Sequence, residues 1–229
     1  MIATLTIVRY PVMFGWAGFL SMAIFRLPLW FSKKLSFYKL MGCGKNGTFD
    51  KTPDWRQWAL LTASASNHAG YTPRFIQAWW ALFRVERWEL QLAPIEGHGT
   101  WDGQQVFGNL PKQTDYDGPI GILTRATIRL SQLGRFWSHV DAIANQMAGA
   151  EGFVTSVGIG EVPWVKQATF SIWESKTAMK AFAYKMKEHA DVVKKTHQEK
   201  WYSEDMFVRF IPIKSEGQLN GKLPFEIKL

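Results

Sequence analysis

Five histidines, one cysteine and a few strand-borne arginines are the side chains of this sequence whose types and spacing could do chemistry. His189 shares a helical face with Val192, Val193 and Thr196. On the inner face of a helix packed against a sheet, such an imidazole can aim a nitrogen into a pocket, and haem iron accepts a ligand of that kind from a single side chain. The same spacing serves a surface or hydrogen-bonded histidine. His197 follows on the same stretch, His139 lies on an amphipathic helix beside Phe136 and Val140, and His68 and His98 fall in loop-like segments. No His pair has H-E-x-x-H spacing and no serine sits in a G-x-S-x-G elbow, which argues against zinc-protease and serine-hydrolase chemistry. The sole cysteine, Cys43, forbids an internal disulfide and a cysteine zinc site, and points to a reducing, cytoplasmic compartment.

Arg125 and Arg129 fall on one face of a strand expected at 122–130, and Arg209 lies within the strand-like Phe207-Val208-Arg209-Phe210. An arginine on an apolar strand requires an anion, because a bare buried charge is very costly. Haem propionates and an internal carboxylate would serve alike. Trp, Phe and Tyr make up 15% of the chain. Core packing takes most of them, and a minority is expected to line a pocket for a large flat or extended ligand. Gly42-Cys43-Gly44-Lys45-Asn46-Gly47 fits G-x-G-x-x-G, but Thr52-Pro53-Asp54 and a strand follow it instead of a helix. It therefore reads as a turn and not as a phosphate cradle. Asp115 and Asp117 read as turn residues.

The elements that must position these residues occur twice. In the first half, strands are expected at 4–10, 35–41, 55–63 and 88–95, with helices at 15–31 and 73–84. In the second half, strands are expected at 122–130, 153–157, 164–173 and 206–211. Its helices are expected at 134–147, at 176–186 behind a Ser175 cap, and at 188–201. Gly42-Cys43-Gly44 followed by Trp55-Arg56-Gln57-Trp58-Ala59 parallels Gly158-Ile159-Gly160 followed by Trp164-Val165-Lys166-Gln167-Ala168. Each half has the ferredoxin-like split βαβ order. The fold class is thus α+β: tandem ferredoxin-like halves, 1–110 and 119–229, whose bare sheet faces close on one another as in a dimeric α/β barrel. The Gly-, Asp-, Gln- and Pro-rich stretch 98–119 links them.

The net charge of +8 fits a nucleic acid, an anionic membrane or mere solubility. The basic residues look scattered and no nucleic-acid motif accompanies them, so a nucleic-acid partner is not expected. The apolar run 12–25 is interrupted by Arg26 and Pro28 and is too short to span a bilayer. Its length favours a buried core helix, although Trp16, Phe19, Leu20, Ile24, Trp30 and Phe31 could rest on a bilayer as a peripheral contact. The N-terminus reads as a strand and not as a signal peptide.

Leu123-Thr124-Arg125-Ala126-Thr127, Gly158-Ile159-Gly160-Glu161-Val162-Pro163 and Gln167-Ala168-Thr169-Phe170-Ser171-Ile172-Trp173 resemble the spheroidene monooxygenase family of carotenoid ketolases. So do Phe182-Ala183 and the stretch 189–210 with Trp201, Glu204 and Arg209. Residues 37–44, 55–61 and Trp101-Asp102-Gly103 resemble it more loosely. The resemblance implies a haem-dependent monooxygenase that hydroxylates and ketolates an acyclic carotenoid or a similar long apolar substrate. It also implies an external electron donor such as a ferredoxin, and a homo-oligomer. His189 matches a family histidine and becomes the expected iron ligand. Arg125 becomes the expected distal catalytic group, and Arg125, Arg209, Trp173, Phe182 and Trp201 become the expected haem-binding set. A haem dehydratase, or a non-catalytic haem- or lipophile-binding protein, is the alternative on the same scaffold.

Overall fold

Strand after strand of this chain alternates between residues that face a closed interior and residues that face covering helices. The computed structural model describes residues 1–45, 52–185 and 201–227. The expected helix at 188–201 lies, but for Trp201, outside these residues, and with it His189 and His197. The first half runs β1 (Ile2–Arg9), α1 (Gly15–Ile24), α2 (Arg26–Trp30), β2 (Leu35–Gly44), β3 (Pro53–Ser64), α3 (Arg74–Leu82) and β4 (Glu86–Gly99). The second runs β5 (Ile120–Ile128), α4 (Leu133–Ala148), β6 (Phe153–Val162), β7 (Lys166–Trp173), α5 (Lys176–Lys185) and β8 (Tyr202–Gly217).

The eight strands close into one antiparallel barrel in the order β1-β3-β2-β6-β7-β5-β8-β4. Read from either seam, each half has the ferredoxin-like order β4-β1-β3-β2 or β8-β5-β7-β6, so the expected tandem architecture is present. The long seam pairs β4 with β8, from Trp88 opposite Gly217 to Gly99 opposite Met206. The short seam is two residue pairs, Gly42 opposite Gly160 and Cys43 opposite Ile159. The two Gly-x-Gly segments that match in sequence are therefore strands that meet, not turns. A side chain at Gly99, where φ is +87°, would place its Cβ 2.2 Å from the Asp205 carbonyl oxygen, so only glycine ends the long seam there.

The lumen is filled by alternate residues: Leu5 and Ile7 of β1, Met41 and Cys43 of β2, Leu90 and Leu92 of β4, Val157 and Ile159 of β6, Phe170 and Ile172 of β7, and Met206, Val208 and Phe210 of β8. The linker joins this core. Trp101, Val106 and Phe107 are buried within the same cluster, so 98–119 plugs one barrel mouth and is not a passive tether. Outside the barrel, α1, α2 and α3, the last through Ile76 and Trp80, cover Val8, Trp58 and Leu60 of the first half. Met147 of α4 and Met179 of α5 cover Ile120, Ile122 and Trp173 of the second half. Ser175 caps α5 as expected, its Oγ accepting from the Ala178 amide at 3.0 Å.

Three local expectations are corrected. The helix expected at 15–31 is two pieces separated at Phe25. Trp164 belongs to the β6–β7 turn with φ +62°, its carbonyl accepting from Trp137 Nε1 at 3.2 Å. Arg129 lies one residue beyond β5 and is exposed, so it does not share the face of Arg125.

Candidate functional site

Two clusters of charge are built on opposite faces of the second-half sheet. The first lies in the lumen. On β5, Arg125 follows Leu123 with the same inward parity, and it is 1% exposed. The same rule turns Lys39 of β2, Glu161 of β6, Lys166 of β7 and Glu204 of β8 toward that mouth. Arg125 donates from Nη1 to Glu204, and its Nη2 lies 3.5 Å from Asp102 and 4.0 Å from Glu161. Its guanidinium stacks over the Trp101 ring, 5.4 Å from the centroid. Lys39 bridges Asp102 and Glu161, the latter at 2.8 Å, and Lys166 reaches Asp102 at 2.7 Å. Trp101 Nε1 donates to Glu161 at 2.7 Å, and Thr100 Oγ1 and the Gly103 amide each donate to Glu204 at 2.7 Å.

Three cations thus meet three carboxylates. Burial pushes the Glu204 carboxyl up, but the Gly103, Thr100 and Arg125 donors outweigh it and hold it at about 2. Lys166 and Lys39 do the same for Asp102, also at about 2. Balanced and tied to the plug loop, the cluster spans this mouth with Arg125 buried at its centre and Asp102 at its exposed rim. The internal-carboxylate reading of Arg125 is the one the structure gives, through Glu204.

The second cluster lies on the outer face. Arg209 of β8 pairs in register with Glu96 of β4, which is 0% exposed, and the two side chains meet at 2.5 Å. Lys176, the first residue of α5, reaches down to the same carboxylate and also donates to the Thr114 carbonyl at 2.5 Å. Thr114 adds its amide at 2.8 Å and its hydroxyl at 2.6 Å. Burial pushes Glu96 up, and these donors more than reverse it, to about 2. Asp117 of the linker, which accepts from the Thr177 amide at 2.8 Å, adds a second carboxylate beside Lys176, so two anions face two cations here. The Arg209 Nε is buried without a hydrogen-bond partner, while its guanidinium lies 4.7 Å from the Phe207 ring centroid. His98, exposed on β4 and stacked at 5.8 Å on Phe207, shares this face, so it is a strand histidine and not a loop one.

The expected haem-binding residues divide accordingly. Trp173 and Phe182 pack against each other at 5.1 Å within the outer-face cluster that includes Phe207, the neighbour of Arg209. Arg125 is on the other side of the sheet, so it cannot share a pocket with them, and that part of the expectation is corrected. Trp201 is buried where β8 begins, its carbonyl accepting from the Arg129 amide at 2.9 Å. Sequence reasoning missed Glu96, Lys176 and Lys39. A Glu directly after the apolar Ala93-Pro94-Ile95 was the one available signal for Glu96. A cavity of about 620 Å³ opens at the opposite barrel mouth, where Arg9, paired to Asp54 at 2.7 Å, and Trp88 face Thr155 and Val157.

Eight antiparallel strands closed from two ferredoxin-like sheets, with the described helices outside, define the dimeric α/β-barrel class in a single chain. Solved structures agree on the fold. An aldoxime dehydratase in complex with butyraldoxime superposes with a TM-score of 0.60 at 8% identity, over 92% of this chain and 79% of its own. A second aldoxime dehydratase gives 0.56 at 7% identity, over 92% and 80%. No family model matches the chain. The spheroidene monooxygenase of Rhodobacter capsulatus is 33% identical over 214 residues, covering 91% of this chain and 88% of that protein. The spheroidene monooxygenase of Rubrivivax gelatinosus is 34% identical over 191 residues, covering 81% and 72%. The chain belongs to the spheroidene monooxygenase family and is an oxidoreductase.

Proposed function

We propose that this protein is a haem-dependent monooxygenase that oxidises an acyclic carotenoid or a similarly long apolar polyene. The observation that carries the reading is the 33% identity to a spheroidene monooxygenase across nearly the whole of both chains. Haem asks a protein for an axial donor, apolar walls and a cation for its propionates. The outer face of the second half fits the last two. Trp173, Phe182 and Ile122 offer walls, and the buried, unpartnered Nε of Arg209 suits a carboxylate. In this reading His189, outside the described residues, would ligate the iron, and Arg209 would pair with a propionate. Haem, when bound, supplies the redox iron that activates dioxygen. The chain's own part is to orient it through Arg209, to exclude water with Phe207 and Ile122, and to hold Glu96 ionised so that Arg209 stays in place. The sequence has no flavin or nicotinamide motif, so electrons come from a separate donor such as a ferredoxin.

An absorption spectrum of the purified protein tests the cofactor. A Soret band that disappears in His189→Ala and persists in His98→Ala supports the assignment. Loss in His98→Ala instead moves the ligand to β4. No haem in either the isolated or the haem-supplemented protein overturns the reading. Incubation with an acyclic carotenoid, a reducing system and labelled dioxygen tests the reaction, with labelled hydroxy or keto product expected. Haem without turnover of any polyene would leave a binding protein.

A further inference from the structure

The helical stretch α1–α2 is apolar on both of its sides. Its inner side seals onto the first-half sheet through Ala17, Gly18, Ser21, Phe25 and Leu29, all buried. Its outer side carries Trp16, Phe19, Leu20, Leu27, Trp30 and Phe31, at spacings of three, four and seven residues, and every one is exposed. Trp30 is 73% and Phe31 74% exposed, and their rings stack on one another at 5.6 Å. The expectation of a core helix is therefore corrected: only the inner side is core. Monomeric proteins seldom leave so continuous an apolar surface uncovered.

Charge identifies what covers it. Residues 1–85 hold ten Lys and Arg against two Asp, Asp50 and Asp54, and Arg9 takes Asp54. Residues 86–229 hold seventeen of each sign, so the whole excess of +8 belongs to the part of the chain that bears the apolar face. The basic residues are not scattered after all. Arg26 lies in α2, Lys33 and Lys34 follow Phe31 after Ser32, and Arg74 precedes Phe75, whose ring centroid is 6.5 Å from that of Phe25; all four cations are exposed. Aromatic side chains rimmed by Lys and Arg are the chemistry of the interfacial layer of an anionic bilayer. A second copy of this face would bring like charges together. By length and apolar composition 12–30 is long enough to cross a bilayer, contrary to expectation, but crossing would tear Phe25 and Leu29 from the core cluster they share with Trp80.

We propose that α1–α2 lies flat in the headgroup region of a bilayer containing anionic lipid, with Trp16, Phe19, Trp30 and Phe31 immersed and Arg26, Lys33 and Lys34 paired to lipid phosphates. An apolar substrate dissolved in that bilayer would then reach the enzyme without crossing water. The surface itself does not depend on the catalytic reading, because its test contains only lipid.

The full chain is sedimented with vesicles of phosphatidylcholine alone or with about 30% phosphatidylglycerol, at low and at about 0.5 M salt. Expected is binding at least about tenfold tighter to the anionic vesicles, weakened by salt. Trp30→Ser/Phe31→Ser should reduce it at least about tenfold, with the unfolding midpoint unchanged. Quenching of native tryptophan fluorescence by brominated acyl chains reports immersion without any variant. The proposal is overturned if the wild type binds neither vesicle, if the double variant binds as well as the wild type, if no quenching occurs, or if the patch proves to hold a dimer that the double variant dissociates.

Discussion

Arg125 and Arg209 stand on hydrogen-bonded neighbouring strands yet face opposite sides of one sheet. In the β5–β8 register Arg125 is opposite Met206 in the lumen, and Arg209 is opposite Ile122 on the helix-covered face. Each has taken a carboxylate from another strand: Glu204 for the first, Glu96 for the second. One arginine sits at a barrel mouth and the other beneath the helices, and each keeps a buried Nε without a partner.

That division predicts a ranking. Arg125→Gln strands a cluster with three carboxylates and two lysines inside the barrel, and breaking a buried ion pair costs about 3–5 kcal/mol. Arg209→Gln leaves Glu96 still held by Lys176 and Thr114, so the expected loss is only about 1–3 kcal/mol. Urea unfolding of both variants checks the order, and a more stable Arg125→Gln protein would refute the structural role given to the lumen cluster.

Acid should open the fold through Glu96. Its carboxyl sits at about 2 in the folded state, below the ordinary ~4.3 of an unfolded chain. A depressed carboxyl stabilises above the unfolded value and loses that contribution as pH falls toward the folded one. About 3 kcal/mol should therefore disappear between about pH 4 and pH 2, with Glu204 and Asp102 titrating in the same window. Glu96→Gln leaves Lys176 and Arg209 facing each other without an anion. It should lower stability at pH 7 by about 3–5 kcal/mol and flatten the acid limb. Chemical denaturation from pH 7 to 2 measures both, and an unaltered limb in the variant would count against Glu96.

Cys43 is buried on the short seam, and burial pushes its thiol up to about 12. A thiol in that state is a poor nucleophile and a poor metal ligand. The native protein should resist a maleimide for hours and react within minutes once unfolded. Rapid native labelling would mean that the seam between Cys43 and Ile159 opens readily.

The tandem order of elements was legible because hydrophobic periodicity and the repeated Gly-x-Gly segments record local structure. Closure was less so. Residues 42–44 read as part of a turn, and the strand expected at 153–157 stops short of 158–160, because glycines usually mark turns, whereas here both segments let two strand ends meet at a tight seam. The arginines announced that carboxylates must exist. Their partners lie 79 and 113 residues away, and only the shear of the barrel decides that Arg125 meets Glu204 and Arg209 meets Glu96. The outer stripe of α1–α2 was misread for a related reason. Apolar residues look the same in sequence whether protein or lipid covers them, and only exposure separates the two.

Two helical glycines should respond in opposite ways to the same change. Gly18 of α1 sits against β3, and an added Cβ would lie 2.4 Å from Trp58 Nε1 and 3.0 Å from the Tyr10 ring. Trp58 cannot yield easily, because its Nε1 donates to the Trp55 carbonyl at 3.2 Å and its ring is part of the first-half core. Gly18→Ala must therefore lift α1 from the sheet, at a cost of about 1–3 kcal/mol. Gly134, in the first turn of α4, has nothing within 4 Å of the corresponding position. There alanine only removes backbone freedom from the unfolded chain, and Gly134→Ala should stabilise by about 0.5–1 kcal/mol. Thermal unfolding of the pair decides it: midpoints moving in the same direction would show that α1 is not held as tightly on β3 as the close approach of Gly18 to Trp58 requires.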